Sequence, residues 1–320
     1  MHIGSGLGVR IGVYLQAFLC VLNVLLREIL RPELEPDAYG RDQVDASVKS
    51  LDEIAESGVV ALFTIVALII SAFIDAAKYH RLEIYHATIT CYICGMLLLS
   101  AVAPVVFAAG LDGWLKKGNA DNYVREKQIH VHRHIPRWSV ACGAAQIGLG
   151  VFGLWINAGV ASHPYDRDTT VANCTRAWFM GANYIIGVEG PWKRMWIAFY
   201  AVLTIPLVLP LLVLFVNGVV GALILYSILT VAIYFQAPVS ENSLSLMWRL
   251  WRSPSFSLGI TLVLLCITTE MTVRANHVNK AEKPWGQGQV FPILIASFPA
   301  YRLWRPLQDL VGRGVGEAAM

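Results

Sequence analysis

Residues 58–77 read GVVALFTIVALIISAFIDAA, a run whose only charge is Asp75. As a helix rising 1.5 Å per residue it covers about 30 Å, the thickness of a bilayer's hydrocarbon core. The rest of the chain agrees with that stretch. Of 320 residues, 56% are hydrophobic and 15% charged, and the mean hydropathy is +0.55, whereas soluble domains carry about 25% charged residues. The expected fold is all-α: a polytopic transmembrane helical bundle of about seven spans, with six to eight allowed, forming a single transmembrane domain over residues 1–320. With 25 Lys and Arg against 22 Asp and Glu, no dense basic stripe marks a nucleic-acid surface. An integral protein of the plasma membrane or an endomembrane is expected, with the lipid bilayer as its first partner.

Working outward, the first span runs from about Gly8 to Leu26, carries Arg10, Gln16 and Asn23, and has no cleavage site of signal-peptide type after it. Residues 31–57 are acidic, yet Val44, Val48, Leu51 and Ala55 recur at helical spacing; a short amphipathic surface helix and a solvated acidic loop both fit. A tight link through Lys78, His80 and Arg81 leads into a third span, Ile84 to Gly110, in which Pro104 marks a kink. The segment Leu111–Arg137 reads as a loop rich in Lys and Arg, and the positive-inside rule makes it cytosolic, with the amino terminus outside or lumenal. A fourth span, Trp138 to Val160, sets Ala144 and Gly148 one turn apart, a pattern that lets helices approach closely. Across the membrane from the basic loop, Asn173-Cys174-Thr175 is an acceptor pattern for N-glycosylation at Asn173.

Met195 to Ala237 is nearly free of charge and too long for one straight crossing. Pro206, Pro210 and Asn217-Gly218 allow either two spans or one long broken helix. One crossing places slightly more of the basic residues on the cytosolic side than two, which favours seven spans. A further span runs from Pro254 to about Met271, and Val290 to Trp304 forms a short apolar segment before a Gly-rich tail. Five cysteines, Cys20, Cys91, Cys94, Cys142 and Cys266, fall in apolar runs, so no disulfide framework is expected; Cys174 sits in a polar loop.

Several phrases are shared with a known group: Gly8-Val9-Arg10-Ile11 followed by Tyr14-Leu15-Gln16, Ile70-Ser71-Ala72-Phe73-Ile74, Tyr85-His86-Ala87, Glu270 before Asn276, and Gly288-Gln289 before Pro292. Together they resemble a family of fungal multi-pass membrane proteins. The stretch after His86 departs from that family's pattern, reading Cys91-Tyr92-Ile93-Cys94. The resemblance implies a class of protein and no activity.

Ionisable residues at membrane depth are costly unless paired or hydrated, and so point to function. Arg10, Asp75, Glu83, His86, Glu270, Arg274 and Asn276 gather on one membrane face in the seven-span topology. They are candidates for a polar pocket or vestibule, with a buried Arg10 paired to Asp75 or Glu270; helix ends snorkelling to the headgroups are the plain alternative. His130, His132 and His134 form the densest histidine cluster and are candidate metal ligands, although nothing adjacent in sequence supplies a carboxylate or thiolate complement. A basic segment against anionic lipid is the alternative there. No residue spacing points to a catalytic site, and the last span has no lysine for a retinal Schiff base. The leading expectation is a channel or transporter for ions or small solutes, self-associated as a homo-oligomer, with no cofactor and with bound lipid. A seven-span receptor or sensor, or a membrane-embedded enzyme acting on lipid, are the alternatives.

Overall fold

Between Arg41 and Tyr79 no proline interrupts the chain, and in the computed structural model the backbone runs there as one helix of 39 residues. The structure describes residues 7–30, 41–79, 84–116, 122–157, 176–179, 182–185, 191–205 and 253–275, with isolated positions at 219 and between 296 and 304. The elements are α1 (Leu7–Leu30), α2 (Arg41–Tyr79), α3 (Ile84–Leu115), α4 (Asn122–Asn157), β1 (Arg176–Phe179), β2 (Ala182–Ile185), α5 (Pro191–Leu203) and α6 (Pro254–Ala275). Among the described residues, five helices are long and apolar enough to cross a membrane: α1, α2, α3, α4 and α6. The all-helical expectation holds for the bundle. A small antiparallel ribbon adds to it, pairing Arg176 with Ile185 through Phe179 with Ala182, with β1 against α6. Residues 206–218 and 220–252, which decide between one and two crossings, lie outside the described residues, and so does Asn173.

Two expectations about the polar segments are corrected. The acidic stretch is no separate surface helix, and from Arg41 onward it is no loop: it forms the first turns of α2. Its stripe of Val44, Val48, Leu51, Ile54 and Ala55 is buried, while Asp45, Lys49, Asp52 and Glu56 are exposed. The basic segment 111–137 is also mostly helix, because α3 continues to Leu115 and α4 begins at Asn122. Its charges mask a helical period that turns Val131 fully inward and packs Tyr123, Val124 and Ile135 on the core. At 1.5 Å per residue α2 and α4 measure about 58 and 54 Å, so each extends well beyond a 30 Å hydrocarbon core. The extensions cover one another's apolar stripes, together with Leu111, Trp114 and Leu115 of α3.

Contacts between α2 and α4 advance in the same direction along both helices. Asp45 meets Lys127, Asp52 meets His130 and His134, Gly58 faces Trp138, and Phe73 packs on Phe152 and Trp155 with ring centroids 5.4 and 4.7 Å apart. The two helices therefore run parallel. Helix α3 runs antiparallel to α4, with Cys142 donating its S–H to Ala101 O and Gln128 donating to Asp112. The α-helix continues through Pro104, whose ring approaches Gly58: a Cβ there would lie 2.9 Å from Pro104 Cγ. The cysteines described, Cys20, Cys91, Cys94, Cys142 and Cys266, are free thiols within the bundle.

The close approach expected at Ala144 and Gly148 occurs elsewhere on α4. A Cβ on Gly148 would meet nothing within 4 Å. On Gly150 it would lie 2.8 Å from Thr204 Cγ2, and on Gly153 it would fall inside the Tyr200 ring. Gly150 and Gly153 are thus what admit α5, and Gln146 beside them donates to Leu203 O at 2.9 Å and Ile205 O at 2.8 Å. These carbonyls end α5 just before Pro206, which cannot continue the ladder. Substituting Gly153→Ala should destabilise the protein by about 1–3 kcal/mol through overpacking. Gly148→Ala should be neutral or stabilising by up to about 1 kcal/mol through helix propensity. Thermal unfolding of the two variants in one detergent checks the contrast.

Candidate functional site

Helix α1 turns its polar residues inward. Arg10, Gln16 and Asn23 are each no more than 3% exposed; Gln16 and Asn23, seven residues apart, share one side of the helix, and Arg10 lies on another. An arginine so placed needs a counter-charge, and α6 supplies it. Arg10 Nε donates to Glu270 Oε1 at 3.1 Å, and Tyr14 donates its hydroxyl to the same oxygen at 2.9 Å. Of the two partners expected for Arg10, the structure joins it to Glu270. Asp75 belongs to the last turns of α2, but its side chain, like Glu83 and Asn276, lies outside the described residues. His86 is half-buried in the first turn of α3, and Arg274 is exposed in the last turn of α6, where a cation complements the helix dipole.

The opposite end of α1 is also tied. Arg27 Nη2 meets Glu53 Oε2 of α2 at 2.8 Å, Arg27 Nε donates to Asn23 Oδ1 at 2.9 Å, and Ser253 donates to Glu28 at 2.5 Å. Between Arg10 and Arg27, and equally between Ser253 and Glu270, lie about 26 Å of helix. This nearly matches the hydrocarbon core. The two helices are antiparallel, with a Cβ built on Gly259 of α6 between these ties lying 3.8 Å from Val21 of α1.

Between these polar ends α3 and α6 bury several hydroxyls. Thr88, Thr90 and Ser100 of α3 and Ser255, Ser257, Thr268, Thr269 and Thr272 of α6 are buried. Thr90, Ser100, Thr268, Thr269 and Thr272 donate to the carbonyl four residues before them, so their polarity is spent inside their own helix. Gln16 Nε2, Ser255 Oγ and Ser257 Oγ are buried with no hydrogen-bond partner among the described residues. The Ser and Thr of α6 were legible in the sequence, but without knowing that α6 faces α1 nothing separated them from ordinary membrane-helix residues.

A second cluster lies on the extensions. Helix geometry sets His130 and His134 on one face of α4, ring centroids 4.7 Å apart, and leaves His132 exposed on another. Parallel packing brings a carboxylate of another helix to the pair. Asp52 Oδ1 of α2 lies 3.7 Å from His130 Nε2 and 3.9 Å from His134 Nε2. A groove of about 580 Å³ opens between the apolar stretches of the same two helices, lined by Leu62, Phe63, Val66, Ala144 and Gly148, with Arg137 at one end.

No known protein family, curated protein or solved structure matches the chain. What its residues do must come from their geometry. Glu270→Gln removes a carboxylate from the buried Arg10 and should cost up to about 3 kcal/mol. Tyr14→Phe removes one hydrogen bond to a carboxylate and should cost about 1.5 kcal/mol. Arg10→Met combined with Glu270→Met should recover most of the Glu270→Gln loss. Reversible unfolding in mixed micelles measures all three.

Proposed function

We propose that this chain is a membrane transport protein that carries a small polar solute or ion through the helical bundle, past the buried polar groups of α1 and α6. The observation that carries the reading is the set of buried polar atoms at Gln16, Ser255 and Ser257 that lack a protein partner among the described residues. At membrane depth each such atom costs several kcal/mol unless water or a solute satisfies it. Their level in the bundle supports a hydrated path: along the helices they lie between the Arg10–Glu270 pair at one end and the Arg27–Glu53 pair at the other. The Glu270 side chain is 37% exposed while that of Arg10 is 4% exposed, so the carboxylate meets arriving solute and the arginine sets the field behind it. Separating that pair opens the bundle at one end, and the acceptor lone pairs of Glu270 favour a cation or a hydrogen-bond donor as cargo.

Self-association belongs to the same proposal. The outward face of α2 leaves Phe63, Val66, Ile70 and Ile74 exposed, an apolar surface that lipid or a second copy covers. In the groove beside it a lipid acyl chain fits the apolar lining, and Arg137 at its end suits a lipid phosphate. With the connection from α3 to α4 cytosolic, the α2 and α4 extensions project into the cytosol.

Reconstitution into liposomes tests the transport reading. Wild-type protein should shrink or swell vesicles faster than empty ones in response to gradients of small polar solutes or monovalent cations. The Gln16→Leu, Ser257→Ala double variant should fold normally yet slow that flux by about tenfold, equivalent to about 1.4 kcal/mol on the barrier. Wild-type vesicles no more permeable than empty ones to any tested solute would sink the reading.

A further inference from the structure

We propose that Asp52, His130 and His134 form a binding site for a divalent transition-metal ion, Zn²⁺ or a similar borderline cation, that ties α2 to α4 outside the hydrocarbon core. The donor set has the right chemistry. Two imidazole nitrogens and one carboxylate oxygen select zinc, cobalt or nickel over calcium and magnesium, which take oxygen ligands. The two histidines stand four residues apart on one helix, the spacing by which a single helix presents two nitrogens to one ion.

The geometry is close to what an ion requires. The three donor atoms lie within 4.8 Å of one another, with the carboxylate oxygen 3.7 and 3.9 Å from the two nitrogens. A tetrahedral zinc with bonds of about 2.0–2.1 Å draws its ligand atoms to roughly 3.3 Å separation. Side-chain rotations alone close that gap. All three side chains are partly exposed, at 50%, 48% and 26% for Asp52, His130 and His134, so an ion can enter from solvent and water can complete its shell. Three protein ligands and an open position describe a reversible site more than a sealed structural one.

Position gives the site its consequence. Asp52 lies shortly before Gly58, where α2 enters its apolar stretch, and His134 lies one turn before Trp138, which faces Gly58. An ion held here links two parallel helices just before the point where both enter the bundle. Lys127, about one turn before His130, is engaged by Asp45 at 2.7 Å, while Arg133 and Arg137 lie on the same helix and oppose a cation. The affinity is therefore set by a balance between Asp52 and these arginines.

Titration of the full chain in lipid nanodiscs with Zn²⁺, against a chromogenic chelator, tests the site. Wild-type protein should bind zinc at micromolar concentration and unfold at a higher temperature with zinc than without it. Asp52→Asn should weaken binding by at least about tenfold, and His130→Ala with His134→Ala by at least about 100-fold, since losing a ligand costs no less than losing an outer-shell partner. His132→Ala should bind as wild type does. Helix content and zinc-free unfolding temperature identify any variant that fails to fold, and His130→Gln with His134→Gln replaces it. Zinc binding that is absent in wild type, that survives Asp52→Asn or the double histidine variants unchanged, or that depends on His132 overturns the proposal.

Discussion

Arg10 carries a charge on the inner face of a helix, 3% exposed, and the arrangement of α1 and α6 follows from accommodating it. A guanidinium in apolar surroundings is tolerated only beside a counter-charge. Glu270 provides one, near the end of a helix that must then run antiparallel to α1. The far ends of the same helices meet at Glu28 and Ser253, and Arg27 reaches across to Glu53 of α2. Polar ties at both ends, about 26 Å apart, set the register. A slip of one turn would separate Arg10 from Glu270 and Glu28 from Ser253 together.

The second pair of long helices is organised differently. Along α2 and α4 the charged contacts are exposed and screened by solvent, so they select the register without holding it. The buried stripe of Val44, Val48, Leu51 and Ile54, met by Leu111 and Trp114 of α3 and Val131 of α4, supplies the driving force. Within the apolar stretch, close packing takes over: Gly58 admits Pro104 and Trp138, and Gly150 and Gly153 admit α5. One bundle thus uses buried charge at α1 and steric fit at α4.

Much of the bundle was legible residue by residue. The run at 58–77, the spans beginning near Gly8, Ile84 and Pro254, and the need for a partner to Arg10 all follow from the cost of polar groups in hydrocarbon. The starts of α2 and α4 and the end of α3 were not legible, because a high density of charge between residues 41 and 57 and between 111 and 137 looks like solvated loop. The helical period was present in Val44, Val48 and Leu51, but what those residues pack against lies dozens of positions away. The glycine contacts show the same limit. Ala144 and Gly148 have the spacing of a helix interface, yet it is Gly150 and Gly153 that face another helix, and spacing alone carries no information about which face is covered.

By itself the sequence determined that the chain is helical and apolar in segments of membrane length, since that depends only on how many consecutive residues avoid charge. It also marked Arg10 as a charge within an apolar run and His130, His132 and His134 as a histidine cluster. Only the tertiary structure decided that Arg10 meets Glu270, 260 positions away, that His130 and His134 share a helical face, and that Asp52 lies beside them. Helix periodicity is a local property written every few residues. Which helices lie side by side, and in which direction, is settled by packing among segments far apart in the chain.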